Sequence, residues 1–431
     1  MTELTGTLIR LGDADYELAS TAYAATGAPA LIVRPSSAAD VAAAVLHARD
    51  NDLVLSVRSG GHGGHGLSTN TGGLVIDLSS LASIAVDGDT VTIGGGAVWG
   101  DIAAALRPHE LALTSGDTVS VGVGGLTLGG GIGWMVRQYG LALDSLIDAE
   151  IVTASGAIVR AADEPDLYWA IRGGGGSFGV VTSFVFTAHP LRQVVAGSIS
   201  FGPDNLASVL RGWRDVMRAA PELLNTTFLA MPPFGPEMPA GIQVLVCYAS
   251  DDRAAADAAI APLLALPGVV ASDLTVKYYA DVLEEAHPPE GITSVVNNGF
   301  APLLSDELVD ELASVYVQLG TSVLMIRSLS GAFNRVEADA TAFAWRDSEV
   351  LLISAAFLPP DADEAAIARA RDVWRTLQPR LRGSYGNFLT TADEQTVATM
   401  YPPATLARLR EIKRIWDPAN LFNQNQNIRP A

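Results

Sequence analysis

The stretch SVRSGGHGGHGLS, residues 56–68, is the part of the sequence that decides the fold. It places five glycines, one arginine and two histidines within thirteen positions, and the apolar run LVLSVRSG (53–60), which is typical of a strand, leads into it. Glycine lets backbone N–H groups approach a ligand closely, most often a phosphate, although a series of turns can use the same residues. The stretch therefore predicts either a backbone-lined anion site or a turn-rich loop.

Two more glycine clusters follow within the next 120 residues, SGDTVSVGVGGLTLGGGIGW (115–134) and RGGGGSFGVVTSFVF (172–186). A P-loop is excluded because the chain's two lysines stand in TVKYY and EIKRI, not after a glycine. A GxGxxG string occurs at Gly174, Gly176 and Gly179. However, a helix-like segment precedes it and a strand follows, which is the reverse of the dinucleotide fingerprint. What remains is a large anionic cofactor held from several loops by backbone amides.

Composition limits the class of protein. The 431 residues are too many for one ordinary core and predict about two domains. A formal net charge of −20 opposes binding to nucleic acid. Cys247 is the single cysteine, so there is no intrachain disulfide framework, as expected of a reducing compartment. No leader pattern and no long uncharged apolar run is present, and we expect a cytoplasmic protein without membrane contact.

The predicted elements divide the chain into two parts. Early on, ALIVRP (30–35) predicts a strand and residues 36–52 a helix capped by Ser37 and Asp40, while Asp87-Gly88 and Ser155-Gly156 predict hairpin turns. After about residue 190 the glycine density falls. Long amphipathic helical patterns then alternate with the strand-like runs GIQVLVCYAS (241–250), SVLMIRSL (322–329) and EVLLISAAF (349–357). The tail predicts a helix that stops at Asp417-Pro418 before an amide-rich end.

The two histidines of the opening stretch admit three explanations. His62 and His65 have the HxxH spacing of metal ligands, but they lie in a loop and no third ligand is evident nearby. They could instead be satisfied structurally by polar neighbours. A third option is a covalent bond between an imidazole nitrogen and a cofactor.

Taken in order, these motifs resemble those of the berberine bridge enzyme type of FAD-linked oxidases, within the vanillyl alcohol oxidase superfamily of flavoproteins. The match runs over most of the chain. It rests on Arg58 to His62, Val121 to Gly125, Gly129 to Gly133 with Arg137, Tyr139 and Asp144 behind it, Arg172 to Val181, and Ile412 to Ile428.

The resemblance implies an α+β fold. Residues 1–190 and 395–431 would form a two-part FAD-binding domain, and residues 191–394 a substrate domain with an antiparallel sheet backed by helices. His62 would be bonded to the flavin 8α-methyl carbon, and this substituent should favour hydride acceptance and prevent cofactor loss. The other residues that the resemblance assigns to the cofactor are Arg58, Ser59, Gly60, Gly61, Gly63, Gly116, Thr118, Val121, Gly122, Gly124, Gly125, Gly179, Val180, Val181, Asn387, Asn425 and Gln426.

Two departures from the family pattern affect the chemistry. The cysteine that forms a second flavin bond in many members is missing, because the corresponding letters are Gly116-Asp117-Thr118, and one covalent link is expected. The family's tyrosine base is also missing, because the string Tyr-x-Asn-Tyr reads Tyr385-Gly386-Asn387-Phe388. Either the substrate is an amine, which can donate hydride without a base, or the base is Tyr385 first and Tyr139 second.

The function predicted from these features is an FAD-dependent oxidase that takes hydride from a small organic molecule and reduces dioxygen to hydrogen peroxide. The small residue Val121 favours access of dioxygen in the family. Two alternatives stay open: a flavoprotein of the same fold that performs a cyclisation or isomerisation, or uses another acceptor, and a flavin-binding protein without turnover. His287 is expected in a loop over the substrate pocket, as a surface histidine.

Overall fold

The structure, a computed structural model, describes residues 4–233, 240–285 and 292–431, so that His287 lies outside the described residues. The N-terminal elements form a four-stranded sheet in the order β1-β4-β6-β5, in which β4, β6 and β5 run parallel. The elements of this part are β1 (Thr7–Ile9), α1 (Tyr16–Ser20), β2 (Thr21–Ala22), β3 (Ala25–Thr26), β4 (Leu31–Arg34), α2 (Ala38–Asp50), β5 (Leu55–Arg58) and β6 (Leu74–Asp77).

Helix α2 begins as its sequence predicts. Ser37 is the N-cap, and its hydroxyl accepts a hydrogen bond from the backbone N–H of Asp40 at 3.2 Å. The Asp40 carboxylate accepts from the backbone N–H of Ser36 at 2.9 Å, one residue before the cap. The helix packs its alanine and valine side chains against the parallel sheet, which holds the start of the first glycine loop in place.

A second sheet, antiparallel and in the order β11-β10-β12-β8-β7, carries the other two glycine loops. Both predicted hairpins occur, although the first has Gly88 and Asp89 between its strands, one residue later than predicted. The third glycine loop follows a helix and precedes a strand, as predicted. The elements are β7 (Ile84–Asp87), β8 (Thr90–Gly94), α3 (Trp99–Leu106), β9 (Leu111–Ala112), α4 (Val123–Gly129), α5 (Val136–Tyr139), β10 (Leu146–Val152), β11 (Ile158–Arg160), α6 (Pro165–Ile171), β12 (Val180–Thr187) and β13 (His189–Pro190).

The following part of the chain forms a seven-stranded antiparallel sheet in the order β17-β14-β16-β15-β19-β20-β18. Helices α7, α8, α9 and α11 pack against one of its faces, with Trp213, Phe228, Leu312 and Trp374 in the shared core. This arrangement confirms the predicted α+β fold class. The elements are β14 (Val194–Phe201), α7 (Leu206–Ala219), β15 (Leu224–Met231), β16 (Gly241–Tyr248), α8 (Arg253–Leu264), β17 (Val269–Lys277), β18 (Thr293–Ala301), α9 (Asp306–Leu319), β19 (Ser322–Ser328), α10 (Ala332–Arg335), β20 (Val350–Leu358) and α11 (Glu364–Arg375).

The C-terminal segment returns to the glycine loops through α12 (Glu394–Met400) and α13 (Pro403–Trp416). As predicted, α13 ends directly before Asp417-Pro418. Lys413, on the last turn of α13, donates to the backbone carbonyl of Ser177 in the third glycine loop at 2.6 Å. Of the helices in the described ranges, none has both the length and the apolar character needed to cross a membrane.

Candidate active site

A cavity of about 1480 Å³ lies between the three glycine loops and the free face of the seven-stranded sheet. Sites for a single small ligand usually occupy about 300 to 1,000 Å³. The volume therefore accommodates a dinucleotide together with a small substrate. The glycine loops line this cavity largely with glycine residues, whereas the large sheet supplies side chains from β16, β18, β19 and β20.

The first and second glycine loops meet backbone to backbone in the cavity wall. A Cβ atom on Gly60 would lie 2.3 Å from the N atom of Gly122, and a Cβ on Gly122 would lie 2.1 Å from the N atom of Gly60. Gly61 next to it has φ +77°, which other residues rarely adopt. Glycine is thus required here for steric reasons, and the two loops together form a narrow wall whose backbone is open to an anionic group.

Two polar residues fix the first loop from behind. The hydroxyl of Ser59 donates to the carbonyl of Gly95 at 2.6 Å and accepts from the N–H of Gly124 at 3.2 Å. The guanidinium of Arg58 donates to the Ala19 carbonyl at 2.6 Å and to the Asp77 carboxylate at 3.0 Å. Through these bonds Arg58 anchors the end of β5. Its side chain lines a smaller adjoining cavity and not the main one.

His62 lies in the wall between the main cavity and that smaller cavity of about 340 Å³. Its ring stacks on Tyr23, with centroids 4.8 Å apart. Its Nε2 atom is 2.7 Å from the hydroxyl oxygen of Ser120, and this hydroxyl donates to Oε1 of Glu285 at 2.5 Å. The imidazole is thus held by a polar chain that ends at the exposed Glu285, which lines both cavities.

His65 also lines the main cavity, and its Nδ1 accepts a hydrogen bond from the N–H of Leu67 at 3.2 Å. Burial lowers the pKa of this histidine, so that its neutral form is favoured. Within the described ranges, no group of three or more His, Cys, Asp or Glu side chains could hold a metal ion. His65 therefore has the polar backbone contact that a structural role requires.

The third glycine loop and the C-terminal tail form the opposite end of the cavity. Asn425 accepts from the hydroxyl of Ser177 at 3.1 Å, and Gln426 donates to the carbonyl of Gly386 at 3.0 Å. Behind them, Lys413 and Asp417 form an ion pair of 2.6 Å in which neither side chain has any solvent exposure. This pair holds the amide-rich tail against the loop, so that the terminal amides reach the cavity.

Tyr385 lines the cavity and is almost fully buried. Its phenolic oxygen accepts hydrogen bonds from the N–H groups of Gly131 at 2.9 Å and Ile132 at 3.3 Å, and from the amide of Asn387 at 2.9 Å. Burial raises the pKa of the Tyr385 phenol. A phenol that keeps its proton at neutral pH does not accept another, which argues against a role as general base.

The second candidate base, Tyr139, is not brought to the cavity. Its ring stacks on His189, with centroids 3.8 Å apart and nearly parallel planes, and it packs against the core cluster that contains Trp99 and Phe186. Burial raises the pKa of the Tyr139 phenol as well. Phe388, which replaces the family's tyrosine base, does line the cavity and packs against Tyr385.

The free face of the large sheet contributes apolar side chains and the buried guanidinium of Arg327. Met325 and Ile353 line the cavity from adjacent strands. Arg327, only 4% exposed, pairs with Asp117 of the second glycine loop. The Nε atom of Arg327 is buried without a hydrogen-bond partner. This ion pair joins the substrate-facing sheet to the cofactor-facing loop across the cavity.

The structure brings most of the predicted site residues together. Arg58 and Tyr139 are the two that do not line the main cavity. The predicted residues that line it are Ser59, Gly60, Gly61, His62, Gly63, Gly116, Thr118, Val121, Gly122, Gly124, Gly125, Gly179, Val180, Val181, Tyr385, Asn387, Asn425 and Gln426. Tyr23, Asp117, Ser120, Glu285 and Arg327 were not predicted from the sequence, since their contacts join residues far apart in the chain.

Comparison with known proteins agrees with this geometry. Residues 29–162 match the family described as FAD binding domain, and residues 384–429 match the family described as berberine and berberine like. The (R)-6-hydroxynicotine oxidase of Paenarthrobacter nicotinovorans is 33% identical over 430 residues, covering 93% of this chain and 91% of that protein.

Solved structures have the same fold. A crystal structure of 6-hydroxy-D-nicotine oxidase from Arthrobacter nicotinovorans superposes with a TM-score of 0.89 at 28% identity, covering 100% of this chain and 99% of that one. Xylooligosaccharide oxidase from Myceliophthora thermophila C1 in complex with xylobiose gives a TM-score of 0.86 at 25% identity, covering 98% of this chain and 97% of that one.

Proposed function

Because this chain belongs to the berberine bridge enzyme-like family of FAD-linked oxidoreductases, we propose that it oxidises a carbon–nitrogen bond of a small amine. In this proposal the flavin is attached covalently to His62 and dioxygen is the electron acceptor. The choice of an amine rests on one observation. An alcohol-oxidising member would need a base in the cavity near Tyr385 and Phe388, and neither side chain is suited to that role.

The glycine loops fit an FAD cofactor. The close approach of Gly60 and Gly122 leaves backbone N–H groups as the donors for a pyrophosphate, and His62 faces the same cavity. The amides of Asn387, Asn425 and Gln426 would contact the polar rim of the flavin. When bound, the flavin supplies the hydride acceptor, and the chain supplies orientation and exclusion of water.

An alcohol gives up hydride readily only when its proton leaves, and a positioned base contributes about a hundredfold or more to that step. In this chain, Phe388 cannot accept a proton, and burial raises the pKa of the Tyr385 phenol although the hydrogen bonds to its oxygen oppose that shift. A neutral amine needs no such base. The proposed role of Tyr385 is therefore to hold Gly131 and Ile132 in place through its oxygen.

The charge of the protein favours the same substrate class. The net charge is −20, and five carboxylates line the cavity against the three cations Lys277, Arg327 and Arg371, so the balance of charge attracts a cationic amine from solution. The relative at 33% identity is named for 6-hydroxynicotine, and nicotine is an amine. The relative named for xylooligosaccharides supports the alternative that the substrate reacts at a sugar hydroxyl group. The test below distinguishes these two substrate classes.

The test is the pH dependence of flavin reduction without oxygen, measured by stopped-flow absorbance with amines of graded basicity and with matched alcohols. If the neutral amine reacts, the rate at subsaturating substrate rises with pH, and its midpoint follows the pKa of each amine. The proposal would be contradicted if alcohols reduced the flavin as fast as amines and if the pH midpoint of the rate were the same for all substrates.

Tyr385→Phe separates the two possible roles of this residue. As a positioning residue, Tyr385 can be replaced with a modest loss of rate and an unchanged pH midpoint. If it were the base, the rate would fall about a hundredfold or more and the pH midpoint would disappear. Release of peroxide in air tests dioxygen as acceptor, and reduction of a dye without peroxide would point to another acceptor.

A further inference from the structure

The polar chain behind His62 has no assigned role in hydride transfer. Ser120 and Glu285 are 165 positions apart in sequence, yet their side chains meet at 2.5 Å. Ser120 does not line the main cavity, whereas Glu285 lines both cavities and is exposed. The chain thus runs from the His62 imidazole to solvent along the wall of the smaller cavity.

The hydrogen bonds define which nitrogen of His62 carries the proton. The hydroxyl of Ser120 donates its single proton to Glu285, so its oxygen can only accept from the histidine. The Nε2 atom of His62, 2.7 Å from that oxygen, is therefore the N–H donor, and in the neutral imidazole the lone pair then lies on Nδ1. In catalytic triads a carboxylate likewise fixes the histidine tautomer, although it bonds the imidazole directly, whereas here Ser120 lies between the two groups.

We propose that Ser120 and Glu285 are positioning residues for the covalent attachment of the flavin: they hold His62 in the tautomer whose Nδ1 attacks and then receive its Nε2 proton. This inference rests on the attachment to His62 proposed above. In this proposal the protein itself provides the proton pathway that covalent attachment of the flavin requires.

The chemistry of this step balances as follows. One C–H bond of the flavin 8α-methyl group breaks and one C–N bond to His62 forms, while the two electrons of the C–H bond remain on the ring system. The methyl proton is released, and the Nε2 proton passes to Ser120 as the proton of Ser120 passes to Glu285 and then to solvent. The ring system is left reduced, and dioxygen reoxidises it with formation of hydrogen peroxide.

The experiment measures the rate at which flavin becomes attached. The full chain is purified as wild type, Ser120→Ala and Glu285→Gln, each from cells low in riboflavin, and FAD is added. Intact-mass spectrometry then follows the adduct with time, while filtration and absorbance measure total bound flavin. We expect both variants to bind flavin like the wild type but to attach it roughly tenfold more slowly or worse.

Three further measurements distinguish a proton pathway from a merely structural contact. Ser120→Thr keeps the hydroxyl and should restore attachment. Acetate added to Glu285→Ala should speed attachment by replacing the missing carboxylate. Ser155→Ala and Glu364→Gln, at exposed positions, serve as matched controls and should attach flavin at the wild-type rate.

The outcomes separate this inference from the proposed function. If the wild type acquires no adduct, or its adduct is not at His62, both the attachment and the pathway are wrong. If the wild type acquires the His62 adduct but Ser120→Ala and Glu285→Gln attach flavin equally fast, the pathway alone is wrong. If acetate or threonine gives no recovery, the two residues act only through local structure and the inference is likewise overturned.

Discussion

Lys413→Met should destabilise the protein more than most single substitutions, because it breaks an ion pair that has no contact with solvent. The Lys413 ammonium donates to the carboxylate of Asp417 at 2.6 Å and to the carbonyls of Ser177 at 2.6 Å and Phe422 at 3.0 Å. Burial lowers the pKa of this lysine, while the Asp417 carboxylate opposes that shift. The charged form of Lys413 therefore depends on its contacts with Asp417 and the two carbonyls.

The magnitude follows from what the substitution leaves behind. Asp417 keeps its contacts to the N–H groups of Leu421 and Phe422, both at 2.8 Å, but loses the Lys413 ammonium that pairs with it. Removing one partner of a buried pair typically costs about 3 to 5 kcal/mol. This corresponds to a shift in the unfolding equilibrium of roughly 150- to 5,000-fold.

The assay is urea denaturation at fixed flavin content, followed by far-UV circular dichroism and flavin fluorescence. Arg414→Met is the matched control on the same helix, since Arg414 pairs with Glu411 at the surface and both are more than half exposed. Such pairs contribute at most about 1 kcal/mol. A loss below about 1 kcal/mol for Lys413→Met, or equal losses for the two variants, would refute the reasoning.

Three other perturbations test separate parts of the molecule. Gly122→Ala should abolish flavin retention, because the new methyl group would lie 2.1 Å from the N atom of Gly60. The ratio of flavin to protein measures this retention. Gly202→Ala is the control and should retain flavin, since a Cβ at Gly202 would have no atom within 4 Å. Arg137→Lys should lower the free energy of unfolding by about 2 kcal/mol or more, since the buried guanidinium donates to the carbonyls of Ala220 and Pro221; an unchanged denaturation midpoint would contradict this. Burial lowers the pKa of His65, so the unfolded state binds the extra proton and the free energy of unfolding should fall as pH drops below about 6.5. His65→Gln should flatten that slope below about pH 6.5, and an unaltered slope would show that His65 does not cause it.

Local sequence rules predicted those parts of the fold that depend on near neighbours. The Ser37 cap, the hairpin at Gly156 and the end of α13 before Asp417 are each set by a few adjacent residues, and each was predicted correctly. The glycine loops were also predicted, because glycine at such density has few other structural explanations. The hairpin at Gly88 was placed one residue too early, since several pairings of its strands fit the same letters.

Four strands of the large sheet were not predicted, for identifiable reasons. Strand β17 lies at an edge and most of its side chains are exposed, so it lacks an apolar alternation. Strand β18 carries Asn297 and Asn298, and β15 begins LNTT, where buried polar groups interrupt the pattern. Strand β14 has Gly197 in its middle, where a Cβ would lie 1.7 Å from a carbonyl of β17. Their positions depend on sheet pairing, which single-segment patterns do not contain.

The parts of the site that escaped prediction are the pairs that join distant segments. Lys413 is one of two lysines in the chain, and nothing in EIKRI indicates that it is fully buried against the third glycine loop. Likewise Ser120 reads as one more small residue of a glycine cluster until Glu285 is placed beside it. A motif predicts which backbone approaches the cofactor, whereas the side chains that orient the reacting groups depend on tertiary packing.

The large sheet explains how cofactor chemistry and substrate choice can be separated in one molecule. Successive residues of a strand point to opposite faces, so on β19 Leu324 and Ile326 pack into the helical core, while Met325 and Arg327 face the cavity. Substitution at a cavity-facing position leaves the helical core intact, but it can reach the second glycine loop, because Met325 and Ile353 pack in one cluster with Ile132 of that loop. Arg327 makes a stronger connection, since it pairs with Asp117 of the same loop. Among the cavity-facing residues of β19, Met325 contributes only apolar packing and can therefore vary with the substrate, whereas the Arg327–Asp117 pair constrains the sheet and the loop at once.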